Sequence, residues 1–217
     1  MVRDVDVVAL EVDLNEVLNK AEGLNLTGEN LERSLSLEAI KYYRDFFGEA
    51  EWEVIKTLKA GVVSSIVDSR LAEEHGLINK MDEFAFGRAL TLDKKIIGLE
   101  NASLQIDFLL DSPEDSIRSL EEIAGNETEY RKSLDAIETI YKKGDLELMR
   151  ALYRLTANQS IEAQYSINVR DPILQNRSKE VLEKEKTLIM VGFGHVPGII
   201  DELKKEFQVK EINSVRK

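Results

Sequence analysis

Cysteine is absent from this chain of 217 residues, and histidine, proline and tryptophan are scarce, at two, three and one residues respectively. Without cysteine the chain forms no disulfide, carries no thiol nucleophile and holds no cysteine-ligated zinc or iron–sulfur site. Any metal ion would therefore be bound by His, Asp, Glu, Asn or water. Three prolines and twelve glycines also exclude long disordered linkers.

Long apolar runs are missing as well. No segment approaches the roughly 20 apolar residues that a membrane-spanning helix needs. Charged residues follow Met1 too soon for a secretory leader. We therefore expect no membrane span and, for the chain as given, a cytoplasmic location, although the lack of cysteine leaves the native compartment open.

Positive charge is in deficit, because 29 Lys and Arg residues stand against 41 Asp and Glu residues, for a net charge of −12. Nucleic-acid binding requires clustered Lys and Arg that neutralise phosphates, and anionic membranes attract similar clusters. Here the basic residues are interspersed with acidic ones, which is typical of solvated helix faces. The charge balance argues against both kinds of partner.

Four short apolar or β-branched segments predict strands, at residues 5–12, 95–99, 187–191 and 208–212. Most of the remaining chain has apolar residues at helical spacing, with helix starts at Ser112, Asp145 and Asp171. These patterns predict a helix-rich α/β fold with a small, mostly buried central sheet surrounded by helices. We expect a single domain over residues 1–217, with a helical sub-lobe inserted at about 112–158.

A glycine-rich turn follows the third predicted strand and precedes an amphipathic helix. It contains Gly192, Gly194, His195 and Gly198. His195 would stand at the carboxyl end of a strand, where open α/β sheets place their binding sites. It could ligate a metal, act as acid or base, or bond to the backbone at a helix start. The backbone N–H groups of Gly192 and Gly194 could instead hold a phosphate.

Acidic residues end the first two predicted strands. Glu11 and Asp13 close the first, and Glu100 closes the second, with Gln105 on the helix that follows. Carboxylates at strand ends can ligate a hard metal or act as a general base. They can also lie on a solvated face or cap a helix. Spacing alone leaves both interpretations open.

Taken in order, these segments resemble the TraB/PrgY/GumN family, to which the Tiki metalloproteases also belong. Residues 6–13 look like that family's D-x-x-x-L-E-x-D strand, and residues 76–82 and 95–105 are similar to its central G-x-D and K-x-x-x-G-L-E-T-x-x-x-Q segments. Residues 141–145 match a Y-x-x-G-D turn, and residues 192–198 match the terminal G-A-G-H-L-x-G. The family's Arg-Asn pair before the last strand would correspond to Arg177 and Ser178.

The resemblance implies a metal-dependent hydrolase, in particular a peptidase, in which a divalent ion such as Mn, Co or Zn activates water. It implies His195 and Glu11 as metal ligands or base, and Arg177 as a clamp for an oxyanion or carboxylate. Glu100, Gln105, Gly192 and Gly194 would contribute to ligand binding. A peptide or small signal would be the substrate or partner.

Two alternatives remain at this stage. The family has an earlier Gly-x-x-His, and this chain begins inside that interval. The chain as given could therefore be a non-catalytic module that captures a peptide or signal, with a partner strand or a homo-oligomer covering an exposed sheet edge. The third hypothesis is phosphate or nucleotide binding at residues 192–198.

Overall fold

The structure is a computed structural model that describes residues 2–21, 26–76, 81–111, 113–157, 164–192 and 194–210. The chain divides into two compact units. We call Met1–Glu22, Asn79–Leu104 and Glu138–Lys217 the sheet unit, and Gly23–Ile78 with Gln105–Ile137 the helical unit. The predicted single domain with an insertion at about 112–158 stays a prediction.

Helices account for most of the described residues, as the helical spacing of the sequence predicts. In chain order they are α1 (Leu14–Ala21), α2 (Leu37–Phe47), α3 (Glu49–Ile55), α4 (Ala60–Glu74), α5 (Met81–Thr91), α6 (Ala102–Asp111), α7 (Pro113–Gly125), α8 (Glu127–Lys143), α9 (Leu146–Ala157), α10 (Asp171–Leu182) and α11 (Val196–Leu203). A π-helical turn, Ser166–Arg170, leads directly into α10. Among the described residues, none of these helices is both long enough and apolar enough to cross a membrane.

The sheet has three parallel strands, β1 (Val7–Leu10), β2 (Lys95–Gly98) and β3 (Thr187–Met190), in the order β2-β1-β3. The helix-rich α/β class and the first three predicted strands are confirmed, each strand being shorter than predicted. The fourth prediction is not met within the described residues, because residues 208–210 form no strand, and residues 211 and 212 lie outside them.

Both faces of the sheet are covered by helices, as parallel sheets require. Val8 and Leu10 of β1 pack with Ala85 and Ala89 of α5 on one face. On the opposite face, Ala9 belongs to a cluster supplied mainly by α10 and α11. This alternation follows from the two-residue period of a strand. The central strand β1 is therefore completely buried, as its uninterrupted apolar sequence predicts.

The helical unit has its own aromatic core. Tyr43 of α2 and Trp52 of α3 are fully buried and stack with their ring centroids 5.8 Å apart. The Tyr43 hydroxyl donates a 2.7 Å hydrogen bond to the Leu120 carbonyl oxygen, so its polar atom is satisfied inside this core. Tyr43 and Trp52 are therefore packing residues of the helical unit.

Two of the predicted helix starts can be checked. Asp145 caps α9, since its Oδ1 accepts a 3.0 Å hydrogen bond from the Leu148 N–H. Asp171 begins α10, with Pro172 in its first turn. Ser112 lies outside the described residues.

Candidate functional site

The carboxyl ends of the three strands lie side by side, because Leu10 of β1 is in register with Gly98 of β2 and Met190 of β3. The pairing continues past the strands through a 2.8 Å bond from the Glu100 N–H to the Glu11 carbonyl oxygen. Glu11 and Glu100 thus sit at adjacent strand ends. Glu100 is 4% exposed and His195, which follows β3, is 7% exposed.

One arginine joins the two glutamates. The Nε of Arg170 donates to the carboxylate oxygens of Glu100 at 3.2 and 3.0 Å, and its Nη2 donates to Glu11 Oε2 at 3.0 Å and to Glu100 Oε1. Burial alone would lower the pKa of Arg170, but the hydrogen bonds and charges of Glu100 and Glu11 outweigh it and raise that pKa above its ordinary value. Arg170 therefore stays charged and fixes both carboxylates.

The second oxygen of Glu11 is held by the glycine-rich turn. Glu11 Oε1 accepts a hydrogen bond from the backbone N–H of Gly192. A Cβ at Gly192 would come within 2.8 Å of this same oxygen, so a larger residue here would displace the Glu11 carboxylate. The turn after β3 and the end of β1 are thereby joined through the Glu11 side chain.

His195 forms the other half of the group. Its Nδ1 lies 2.5 Å from Asp171 Oδ1, at the start of α10. The Tyr153 hydroxyl of α9 is 3.3 Å from that oxygen and 3.4 Å from Nδ1. A carboxylate that accepts a hydrogen bond from Nδ1 favours the histidine tautomer whose proton is on Nδ1. In neutral His195, Nε2 is then the nitrogen with a free lone pair.

His195 and Glu11 both lie beside Gly192. From the Cβ position of Gly192, Glu11 Oε1 is 2.8 Å away and the Cδ2 atom of His195, next to Nε2, is 3.7 Å away. The two atoms are therefore at most 6.5 Å apart, the sum of these distances. This spacing is compatible with joint ligation, for which ligand bonds are about 2 Å.

The other predicted site residues lie elsewhere or have structural contacts. Arg177 is half-exposed on α10 and pairs with Glu180 at 2.7 Å, and its predicted role as a clamp stays a prediction. Gly194 lies against the Tyr153 ring, whose nearest carbon atoms are 2.9 Å from the position that a Cβ of residue 194 would occupy. Gln105 belongs to the helical unit, and its predicted role stays a prediction.

Three residues of this group were missed from the sequence, namely Arg170, Asp171 and Tyr153. Asp171 was identified only as a helix start. The consecutive Arg170 and Asp171 also fit the family's Arg-Asn pair better than Arg177 and Ser178 do, because Asp and Asn share the same side-chain shape. This match to the family's pair could have pointed to Arg170 and Asp171 from the sequence, whereas nothing comparable pointed to Tyr153.

A third carboxylate belongs near Glu11. Asp82, in the first turn of α5, has a buried Oδ1 with no hydrogen-bond partner among the described residues. Burial raises the pKa of Asp82, and the negative charges of Glu11 and Glu83 raise it further. Such an orphaned buried oxygen is uncommon in folded proteins. Glu11, Glu100, Asp82 and Asp171 thus bring four carboxyl groups to the same part of the sheet unit as Arg170.

The second histidine has an ordinary explanation. His75 is the C-cap of α4 and pairs with Asp135, also of the helical unit, at 3.1 Å. Exposed ion pairs and the helix dipole account for these contacts.

The fold and this group define an α/β protein whose polar residues converge at the carboxyl ends of parallel strands, where such proteins place their sites. The chain belongs to the TraB/PrgY/gumN family, whose model matches residues 1–210. No curated protein and no solved structure gave a match.

Proposed function

We propose that this chain is a divalent-metal-dependent hydrolase that cleaves peptides at the carboxyl end of its sheet. The observation that carries the proposal is the buried Asp171–His195 pair, whose imidazole Cδ2 lies at most 6.5 Å from Glu11 Oε1. Family membership supports the same reaction class. Hydrolysis requires a site that activates water next to an acyl carbon, and His with carboxylate is a donor set suited to that.

Two of the residues present suit a divalent cation, because His195 Nε2 and Glu11 offer a nitrogen and an oxygen ligand. Asp82 lies nearby with an orphaned oxygen, but the ligand atoms of these three residues do not all lie within 4.8 Å of one another. When bound there, such an ion would lower the pKa of its water and polarise the substrate carbonyl.

The chain's own residues orient the reacting groups. Asp171 holds the His195 ring in one tautomer and orientation, as carboxylates do beside metal-binding histidines. Arg170 keeps Glu11 and Glu100 in place through its charged hydrogen bonds. Gly192 restrains the second oxygen of Glu11. Side chains locked in this way lose little entropy when substrate binds.

The chain's only two histidines allow a matched test. After dialysis against Mn²⁺, Co²⁺ or Zn²⁺, the wild type should retain a stoichiometric amount of one ion by mass spectrometry and should cleave a mixed peptide pool. His195→Ala should lose both properties, whereas His75→Ala should keep both. If the wild type takes up none of the three ions and cleaves no peptide, the proposal is wrong.

A non-catalytic module that captures a peptide or signal is the second candidate. It is favoured by Arg170, which already satisfies both glutamates without an ion. It predicts peptide binding with no hydrolysis under any metal condition. Phosphate binding at residues 192–198 is disfavoured, because the Gly192 N–H already serves Glu11 and that carboxylate would repel an anion. Nucleotide should accordingly leave the melting temperature unchanged.

A further inference from the structure

A second concave surface lies within the sheet unit, between α5 and β3. This groove has a volume of about 510 Å³ and mostly apolar walls that include Phe84, Leu188 and Met190. Phe84 is 73% exposed at its rim. Single exposed apolar residues are ordinary, but an apolar groove with an exposed aromatic side chain is typical of a binding surface.

The groove borders a free strand edge. Among the described residues β3 pairs with β1 alone, so its outer N–H and C=O groups have no ladder partner. Leu188 and Met190 alternate along β3 and line the groove. A further strand beside β3 would direct its own alternate side chains into the same groove.

Two arginines give the groove its charge. Arg3 and Arg88 complete its lining, and neither forms an ion pair within the part of the chain that the structure describes. Two unneutralised guanidinium groups are notable in a chain with a net charge of −12. They are complementary to carboxylates, which Arg binds through paired hydrogen bonds.

We propose that this groove docks an extended segment of another protein chain, which adds to β3 as a fourth strand. The segment would be apolar at alternate positions, where its side chains meet Leu188, Met190 and Phe84. It would carry an acidic residue that pairs with Arg3 and Arg88. This docking does not depend on hydrolysis, because the residues of the groove are separate from His195, Glu11 and Arg170.

The probe is a fluorescein-labelled peptide of alternating Leu and Glu, measured by fluorescence anisotropy against the purified full chain. Phe84→Ser and Arg88→Glu should each weaken its binding about tenfold or more, as expected when a main aromatic or charged contact is lost. Leu90→Ser is the matched control, because Leu90 is also on α5, is 58% exposed and does not line the groove. It should leave the affinity unchanged.

A peptide of the same composition with alternate backbone nitrogens methylated distinguishes strand addition from simple apolar contact. It should fail to bind, since methylation removes the donors that pair with β3. Equal binding of the methylated peptide would overturn strand addition. The proposal is also overturned if the first peptide does not bind, or if Phe84→Ser and Arg88→Glu leave its affinity unchanged. A third contrary outcome is a self-association, detected by ultracentrifugation, that Phe84→Ser abolishes. That result would identify a second copy of the chain as the occupant.

Discussion

The chemistry of His195 is decided by one neighbouring carboxylate. Asp171 Oδ1 is 2.5 Å from Nδ1, and both side chains are nearly buried, so little water competes for this bond. Tyr153 adds a hydroxyl to the same oxygen at 3.3 Å. In the neutral form of His195, this contact fixes the ring with its proton on Nδ1 and the lone pair on Nε2.

This dependence can be tested by Asp171→Asn, which keeps the side-chain shape but removes the charge. We expect metal affinity and kcat/KM to fall by about 10- to 100-fold, the usual effect of losing the carboxylate behind a metal-binding histidine. Circular dichroism should show an unchanged fold. Asp135→Asn is the control, because it removes the carboxylate from the other histidine, His75, and should leave activity intact. Equal activity of both variants would contradict the orienting role.

Part of this site could be predicted from the sequence because it depends on regular elements. Glu11, Glu100 and His195 follow short, mainly apolar strands, and the ends of parallel strands meet at one edge of a sheet. Arg170 could not be placed in this way. It ends a π-helical turn, an irregular element without a period that sequence spacing reveals. Arg177, on the regular helix that follows, instead pairs with Glu180.

At the scale of elements, the sheet depends on how closely its strand ends approach. Gly98 ends β2, and a Cβ there would lie 2.7 Å from the backbone nitrogen of Asp13 and 3.1 Å from the Glu100 carbonyl oxygen. Both neighbours are backbone atoms, so no side-chain rotation can relieve the close contact. The register that places Glu11 beside Glu100 therefore requires glycine at this position.

Gly98→Ala should destabilise the chain by about 1–3 kcal/mol, the usual range for overpacking a tightly packed interior. The measurement is the free energy of unfolding in urea. Gly87→Ala provides the comparison, because Gly87 is inside α5 and a Cβ there meets nothing within 4 Å. That variant should be more stable by about 0.5–1 kcal/mol, since alanine is the better helix former. A neutral effect of Gly98→Ala would show that the strand ends can separate.

The strands show where local pattern stops being informative. Residues 5–12 were predicted as a strand and Val7–Leu10 form one, because the buried apolar stretch is visible locally. The prediction at 208–212 rested on the same kind of short apolar or β-branched segment, yet residues 208–210 form no strand, and residues 211 and 212 lie outside the described residues. A strand exists only when a neighbour supplies its hydrogen bonds, and one segment cannot specify that neighbour.

At the scale of the whole molecule, the excess of acidic residues makes the free energy of unfolding depend on pH. For one acidic residue of the helical unit, Asp68, the direction of this dependence can be derived. Asp68 of α4 accepts a 2.8 Å hydrogen bond from the Tyr130 hydroxyl. Burial raises the pKa of Asp68 above its ordinary 3.8, and the hydrogen bond only partly opposes this. The folded chain therefore binds this proton more tightly than the unfolded chain does.

Asp68 thus contributes stability below its unfolded pKa, near 3.8, and loses that contribution as pH rises through its higher folded pKa. Asp68→Asn keeps an oxygen that accepts the Tyr130 hydrogen bond but carries no buried charge. It should be more stable than wild type in urea unfolding at pH 7, and the difference should shrink toward pH 4. Asp45→Asn is the control, because Asp45 is exposed on α2, and its difference from wild type should show no such trend. The opposite trend, in which the stability of Asp68→Asn relative to wild type is lower at pH 7 than at pH 4, would contradict this. It would show that the hydrogen bond to the charged carboxylate outweighs the cost of burying that charge.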